Sequence, residues 1–461
     1  MTHMQTNSTA APGARSVGRR AATTATFLAA LALGACSVDE VLDVPDPDVA
    51  TPVSVADKSA LPVMRAGAIG DFARGFQGGG DAEDGIIQNG GLLADELEWA
   101  ETFPTRREFD SRNMQTVNGN INTLMRFAQR GRTSAARAVR AYDQFDAANP
   151  ARAEMLNLEG TMITLIAETF CSGTPLSELS DDGSTVFGDP QTGTQLYNTA
   201  IASFDKSLTQ VGSAAGTAAA QQANFARVGR GRALLNLGRF ADAAAAVSAV
   251  PTAFSYVTEH SENSGRQNNG IFVVMAVNRR FSVADREGIN GLPFRTEIDP
   301  RTANTRGTGA ANVGFDGTTP LFLPNKYPNR SAGVVVANGI EARLIEAEAA
   351  LQAGNAGQWK TIHDAIRATV GLSALTDPGT PAARVDLHFK ERAYWLFLTG
   401  HRLGDMRRLA RQYQRGIETV FPTGAFPASK GGGAYGVDVN FPVPFDELNN
   451  PNFTQCLDRN P

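Results

Sequence analysis

Apolar residues recur at three- and four-residue steps through much of the chain, and strict alternation is scarce. Ser134–Phe145 ("SAARAVRAYDQF") sets Ala135, Ala138, Tyr142 and Phe145 along one side. Ala151–Phe170 does the same with Met155, Leu158, Met162, Leu165, Ile166 and Phe170. This is the helical period, so both stretches read as helices. Pro150 stands where a proline suits a helix start, and Gly160 is a soft spot in the second helix. Ala223–Phe254 reads as a helical hairpin. A first helix ends at Leu237, Gly238-Arg239 turn, and a second runs from Phe240 to about Val250, where Pro251 stops it. Ala226, Gly229 and Ala233 let the two helices approach closely. Ile340–Val370 repeats the layout, with a helix ending at Leu351, a turn at Gly354 and a second helix over Trp359–Val370. Leu196–Leu208 is a third, weaker member, and His388–Gln412 reads as one long helix.

The hairpin segment "LLNLGRFADA" resembles a tetratricopeptide repeat, in which a Leu-Gly turn precedes an aromatic and an Ala-rich second helix. One such pair cannot bury its apolar face alone, so the pairs must stack. Between them lies a different region, 259–330, dominated by Gly, Asn, Arg and Thr. A connection this long is either disordered or functional. Phe272, Phe281, Phe294, Phe315, Phe322 and Tyr327 scatter through it, which argues for a packed irregular surface. Within it "GIFVVMAVN" (Gly270–Asn278) is β-branched enough to read as a short strand.

The N-terminus changes the picture of where the chain works. Arg15, Arg19 and Arg20 precede Ala21–Ala35, an uncharged run too short to span a bilayer comfortably but right for the core of a signal peptide. Leu33-Gly34-Ala35-Cys36 resembles the bacterial lipobox, which implies cleavage before Cys36 and its acylation. A single acyl chain binds membranes marginally, whereas two or three hold stably. Residues 1–35 are then the signal, and 36–52, acidic and Pro-rich, an extended tether. Residues 53–461 form the folded part. Without the signal, 39 basic and 47 acidic side chains remain, a net charge of −8. That balance excludes a nucleic-acid binder, which needs a basic surface. The two other cysteines, Cys171 and Cys456, match the number one bridge requires in a compartment that permits disulfides. The alternative is two independent buried thiols.

The C-terminal third carries a family resemblance. Glu391-Arg392, Gly400-His401-Arg402 and Asp405-Met406-Arg407-Arg408 resemble the signature of the SusD/RagB family of outer-membrane nutrient-capture lipoproteins. Thr399 and Leu403 stand where the family usually has an acidic or small residue and an aromatic. "ARLIEAEAALQAGN" (Ala342–Asn355) is similar to the family's repeat helix. "GVDVNFPVPFDELNNPN" (Gly436–Asn452) is similar to its ending, and Gly90–Asn113 to its early segment on the ligand side. The resemblance implies a mainly α, SusD-like single domain with little β. Tetratricopeptide-like helix pairs (about 134–250 and 340–412) would form a scaffold, and long irregular loops the ligand side. It also implies a surface-exposed outer-membrane protein that hands a glycan, or a peptide, to a SusC-like TonB-dependent transporter. Sugar binding relies on aromatic faces and on polar groups that satisfy hydroxyls. The candidates are Asp95, Trp99, Phe103 and Arg106, with Glu96 beside them, and Arg279, Asn290 and Phe294, with Arg280. For each aromatic the competing reading is ordinary packing.

Other classes are weaker. No HExxH, GxSxG or P-loop occurs, so an enzyme is not expected, and His401 with Asp405 reads as structural. No metal or cofactor is expected; Asp181-Asp182-Gly183 lacks the alternating spacing of a calcium loop and reads as a turn. A helical-repeat lipoprotein scaffold for outer-membrane assembly or protein–protein interaction is the runner-up. The aromatic-bearing insert argues against it.

Overall fold

The computed structural model describes residues 57–80, 84–180, 184–212, 216–454 and 456. The expected signal peptide, Cys36, the expected tether and Asp181-Asp182-Gly183, expected as a turn, lie outside the described residues. Helices dominate. In chain order they begin with α1 (Leu61–Gln77), α2 (Ile86–Leu93), strand β1 (Leu97–Trp99), α3 (Pro104–Asp110), α4 (Gly119–Phe145) and α5 (Pro150–Thr169). Two small antiparallel pairs follow, β2 (Thr174–Pro175) with β5 (Pro190–Gln191) and β3 (Glu178–Leu179) with β4 (Thr185–Val186). Then come α6 (Gly193–Val211), α7 (Thr217–Asn236) and α8 (Phe240–Val247).

α1 and α5 pack on α4, α6 on α5, α7 on α6 and α8 on α7, a run of antiparallel neighbours. α9 (Gly339–Gln352) continues the stack against α8 and pairs with α10 (Ala356–Ala368); α11 (Pro381–Trp395) packs on α9. The sequence places these starts locally. Asn118, Asn149, Asn338 and Asn355 each accept a backbone N–H of the first helical turn, and Thr192 and Thr380 do so with hydroxyls. Each satisfies a donor the helix leaves without a partner. Pro150 is the first residue of α5, as expected. Ser134–Phe145 proves to be the last part of the 27-residue α4.

Gly160 is not a soft spot. Together with Gly229 it makes room for the fully buried Phe204 ring, which seats α6 between α5 and α7; a Cβ at either position would run into that ring. The absent side chain is a packing feature here.

Two expectations fail. Gly270–Asn278 is helical, a turn over Gly270–Phe272 running into a π-helical segment, Val273–Val277. The Asn269 side chain caps it by accepting the Phe272 N–H at 2.9 Å, and a local cap outweighs β-branched composition. The predicted helix His388–Gln412 is broken. α11 ends at Trp395, α12 (Arg402–Tyr413) begins after six intervening residues, and among them Leu398 has φ 51° and Gly400 φ 74°. Tertiary partners take up the backbone groups freed by the break. The Glu96 carboxyl accepts the Leu398 N–H at 2.8 Å, the Tyr327 hydroxyl donates to Leu398 O at 2.8 Å and Lys326 Nζ to Phe397 O at 2.8 Å.

The irregular insert is held by two-stranded antiparallel ladders. β6 (Ser255–Thr258) pairs with β10 (Val334–Asn338), closing the insert at its base against α7. β7 (Phe281–Val283) pairs with β1, Trp99 opposite Phe281, and β8 (Asn304–Arg306) pairs with β9 (Phe322–Pro324). Among the described residues no helix is long and apolar enough to cross a membrane.

Candidate ligand-binding face

Five of the seven candidate residues are occupied in internal contacts, which leaves their polar groups or ring faces little to offer a ligand. Asp95 is fully buried and takes a two-point bond from Arg402, at 2.6 and 2.8 Å, and a third from the Leu292 N–H at 2.9 Å. A bidentate arginine–carboxylate pair fixes orientation as well as charge, so Asp95 ties β1 and the insert to α12. Trp99 is 8% exposed in the β1–β7 ladder. Arg106, also buried, bonds Asp84 and, at 3.2 Å, Glu101. Burial pushes the Glu101 carboxyl up to about 7. The Asn290 amide donates to Glu418 O at 2.6 Å and Phe421 O at 3.0 Å, pinning the insert to the C-terminal segment. Phe294 is fully buried and stacks on Phe397 with ring centres 5.1 Å apart. Residue type gives each of these the chemistry of a ligand contact but does not show which way its side chain faces.

Phe103 and Arg279 remain at the surface, and backbone bonds join their segments to Phe315, which the sequence marks only as one of the insert's aromatics. Phe103 is 48% exposed and Phe315 52%. Ala100 N donates to Arg280 O (2.9 Å), Phe315 N to Arg279 O (2.8 Å) and Asp316 N to Ala100 O (3.1 Å). The end of β1, the start of β7 and the 313–319 turn are thereby zipped into one surface. The Arg280 guanidinium lies 5.5 Å from the Phe103 ring centre and 3.6 Å from Glu101. Half-exposed rings keep an apolar face in water, and Phe103 offers one with a guanidinium beside it.

The same insert carries a cleft of about 310 Å³ lined by Phe272, Met275, Thr305, Leu323, Asn325 and Tyr327, among others. Its walls are apolar and aromatic, with Thr305 and Asn325 joined side chain to side chain at 2.7 Å. Among the described residues no carboxylate lines it. The combination of apolar lining and a few fixed polar groups is the usual make-up of a small-molecule site. Phe272, Phe315 and Tyr327 stand in the sequence as scattered aromatics. What marks them is exposure or cleft position, which no periodicity encodes.

The Gly400-His401-Arg402 and Asp405–Arg408 motif is an interior charge network. Asp405 is bonded by Arg392 at 2.9 and 3.0 Å and by Arg408 at 2.8 Å; Arg402 turns instead to Asp95. Burial raises the Asp405 carboxyl, but Arg392 and Arg408 outweigh it and hold it well below the usual carboxylate range. Glu348, also buried, is bonded by Arg408 and by the Tyr413 hydroxyl, with the His388 ring 3.3 Å away. His401 sits 3.0 Å from Glu341. These groups brace α9, α11 and α12 against one another. Cys171 and Cys456 lie with Cα atoms 6.1 Å apart and sulfurs at bonding distance.

No protein-family profile matches the sequence, and no curated protein does. Solved structures do. A SusD superfamily protein from Bacteroides vulgatus aligns over 87% of this chain and 99% of its own, with TM-score 0.62 and 13% identity. A SusD-like protein from Bacteroides fragilis aligns over 89% and 100%, with TM-score 0.60 and 15% identity. A laminarin-binding SusD-like protein aligns over 87% and 99%, with TM-score 0.56 and 14% identity. Nearly the whole length of each is matched while the sequences have diverged, so what is shared is the course of the backbone: this chain has the SusD-like fold.

Proposed function

We propose that the chain is a surface-anchored substrate-binding lipoprotein. Acylated Cys36 holds it to the outer membrane, the 53–461 domain captures a glycan, and a SusC-like TonB-dependent transporter receives it. The observation that carries the binding step is the two exposed rings Phe103, beside the Arg280 guanidinium, and Phe315, on segments joined by backbone bonds where the insert, which also holds the 310 Å³ cleft, meets the end of β1. Flat apolar ring faces suit the C–H faces of pyranoses, and neighbouring N–H donors suit hydroxyls. Binding rather than catalysis fits the buried titratable groups, since Asp95, Glu348 and Asp405 are consumed in arginine pairs. A laminarin-binding protein with this fold supports a glycan over a peptide. The anchor and the transporter rest on the lipobox and on the family resemblance.

Glycan-array screening of the purified chain, followed by calorimetry on the best ligand, tests the reading. Phe103→Ala and Phe315→Ala should each weaken that ligand by about tenfold, the scale of one lost stacking face. Unchanged affinity in both variants would place the site elsewhere, and no glycan binding at all would sink the proposal.

A further inference from the structure

The insert differs in charge from the rest of the chain. Residues 270–330, which build both the cleft and most of the aromatic platform, hold eight Arg and Lys against five Asp and Glu, whereas the whole chain carries −5. A local reversal of sign on a binding face is a statement about the ligand's charge.

The structure sharpens this bias, because the five carboxylates are all engaged. Asp285 accepts the Arg295 and Thr296 N–H groups, and Asp316 those of Thr318 and Thr319. Glu297 is bonded by Lys390 and Asp299 by Arg301. Glu287 is buried against Tyr435 and Asp110. Three of the arginines are internally paired as well: Arg280 with Glu101, Arg295 with Glu98 and Arg301 with Asp299 and Glu391.

Arg279, Arg306 and Arg330 are different. Among the described residues none of them pairs with a carboxylate. Arg279 donates one N–H to Ala310 O, and Arg306 one to Asn312 O. The Arg330 guanidinium lies 6.0 Å from the centre of the Phe272 ring, one wall of the cleft. A guanidinium has five donors in a fork that fits a carboxylate or sulfate, so each keeps most of its capacity for a ligand. Arg279 holds its place with a left-handed backbone, φ 54°, a conformation that surrounding contacts must maintain.

We propose that this face selects an acidic glycan. Its sugar rings rest on Phe103, Phe315 and the apolar cleft, and its carboxylate or sulfate groups are held by Arg279, Arg306 and Arg330. The proposal rests on the reading of this face as a glycan-binding one.

The test is calorimetry of the purified chain with oligogalacturonate, a sulfated galactan oligosaccharide and a neutral β-glucan of similar length, at low salt and at about 0.2 M salt. At least one acidic ligand should bind about tenfold or more tighter than the neutral one and weaken several-fold at the higher salt. A preference for the uronate or for the sulfate says which anion the arginines read. Arg306→Gln and Arg330→Gln should each weaken the acidic ligand by about fivefold. Arg239→Gln, on an exposed helix turn and paired with Asp242, should not. Melting curves confirm folding of each variant, and the salt dependence of the wild type remains decisive if one fails to fold. Equal or tighter binding of the neutral glucan, or arginine variants that bind acidic glycan like the wild type, would overturn the proposal while leaving the glycan reading intact. Binding of none of the three would overturn both.

Discussion

Glu96 shows how one side chain serves the fold at a cost that depends on pH. It is buried beneath the break between α11 and α12, and its carboxyl accepts the Leu398 N–H at 2.8 Å. Burial raises it to about 8. The folded state therefore keeps its proton to higher pH than the unfolded chain. Its contribution is fully present at low pH and is lost as pH rises from the ordinary carboxyl range through 8. Glu96→Gln keeps the acceptor and removes the titration. Its melting temperature should match the wild type near pH 5 and exceed it by a few degrees at pH 8.5, a difference read by calorimetric scans across that range. A wild type that loses nothing relative to the variant at high pH would refute this account. The sequence identified Glu96 as a polar neighbour of candidate ligand contacts. Only the position of Leu398, 302 residues away in the chain, assigns it to the backbone.

At the scale of elements, helix identity was readable and helix approach was not. The three- and four-residue spacing, with Pro150 and the Gly-marked turns, placed α5, α6, α8, α9 and α10 within about three residues of their observed ends, whereas α7 starts six residues before the expected Ala223. The tolerance for close contact lies in Gly160 and Gly229, which belong to different helices and meet only around Phe204. Gly229→Ala should lower stability by about 1–3 kcal/mol through overpacking, measured by urea unfolding. Adding Phe204→Leu, which frees space at the same point, should make the double variant less destabilised than the sum of the two single ones. Simple additivity would mean the two positions do not share that space. The single-helix expectation for His388–Gln412 failed for the converse reason. A helical period persists in the sequence, while Glu96, Tyr327 and Lys326 bond the backbone where it leaves the helix.

At the scale of the molecule, long-range pairs close the chain on itself. Arg402 joins Asp95 across 307 residues, and Cys171 meets Cys456 across 285. Phe441 N donates to Thr169 O, and Cys171 N to Phe441 O, so the C-terminal segment is laid along the end of α5. A bridge there removes freedom from a very long loop of the unfolded chain. Peptide mapping of protein from an oxidising compartment, without reductant, should recover the Cys171–Cys456 cross-link. Cys171→Ser should lower stability by about 2–5 kcal/mol. Free thiols at both positions would show that the two cysteines are merely adjacent.

The sequence by itself determined the helical class, several of the helix starts, the paired helices and the presence of a long aromatic-bearing insert, because period, turn residues and composition are local properties. It also carried the order of motifs that resembles the SusD/RagB family. It could not decide the face. Asp95, Arg106 and Phe294 have the chemistry of ligand contacts and are spent inside, and Asn290 is engaged with backbone carbonyls, while Phe315 and Arg306 stand exposed and Arg330 lies by Phe272 at the cleft. Which of two chemically similar residues meets solvent depends on tertiary partners, in the case of Asp95 one 307 residues away, and that choice is made only when the chain is packed.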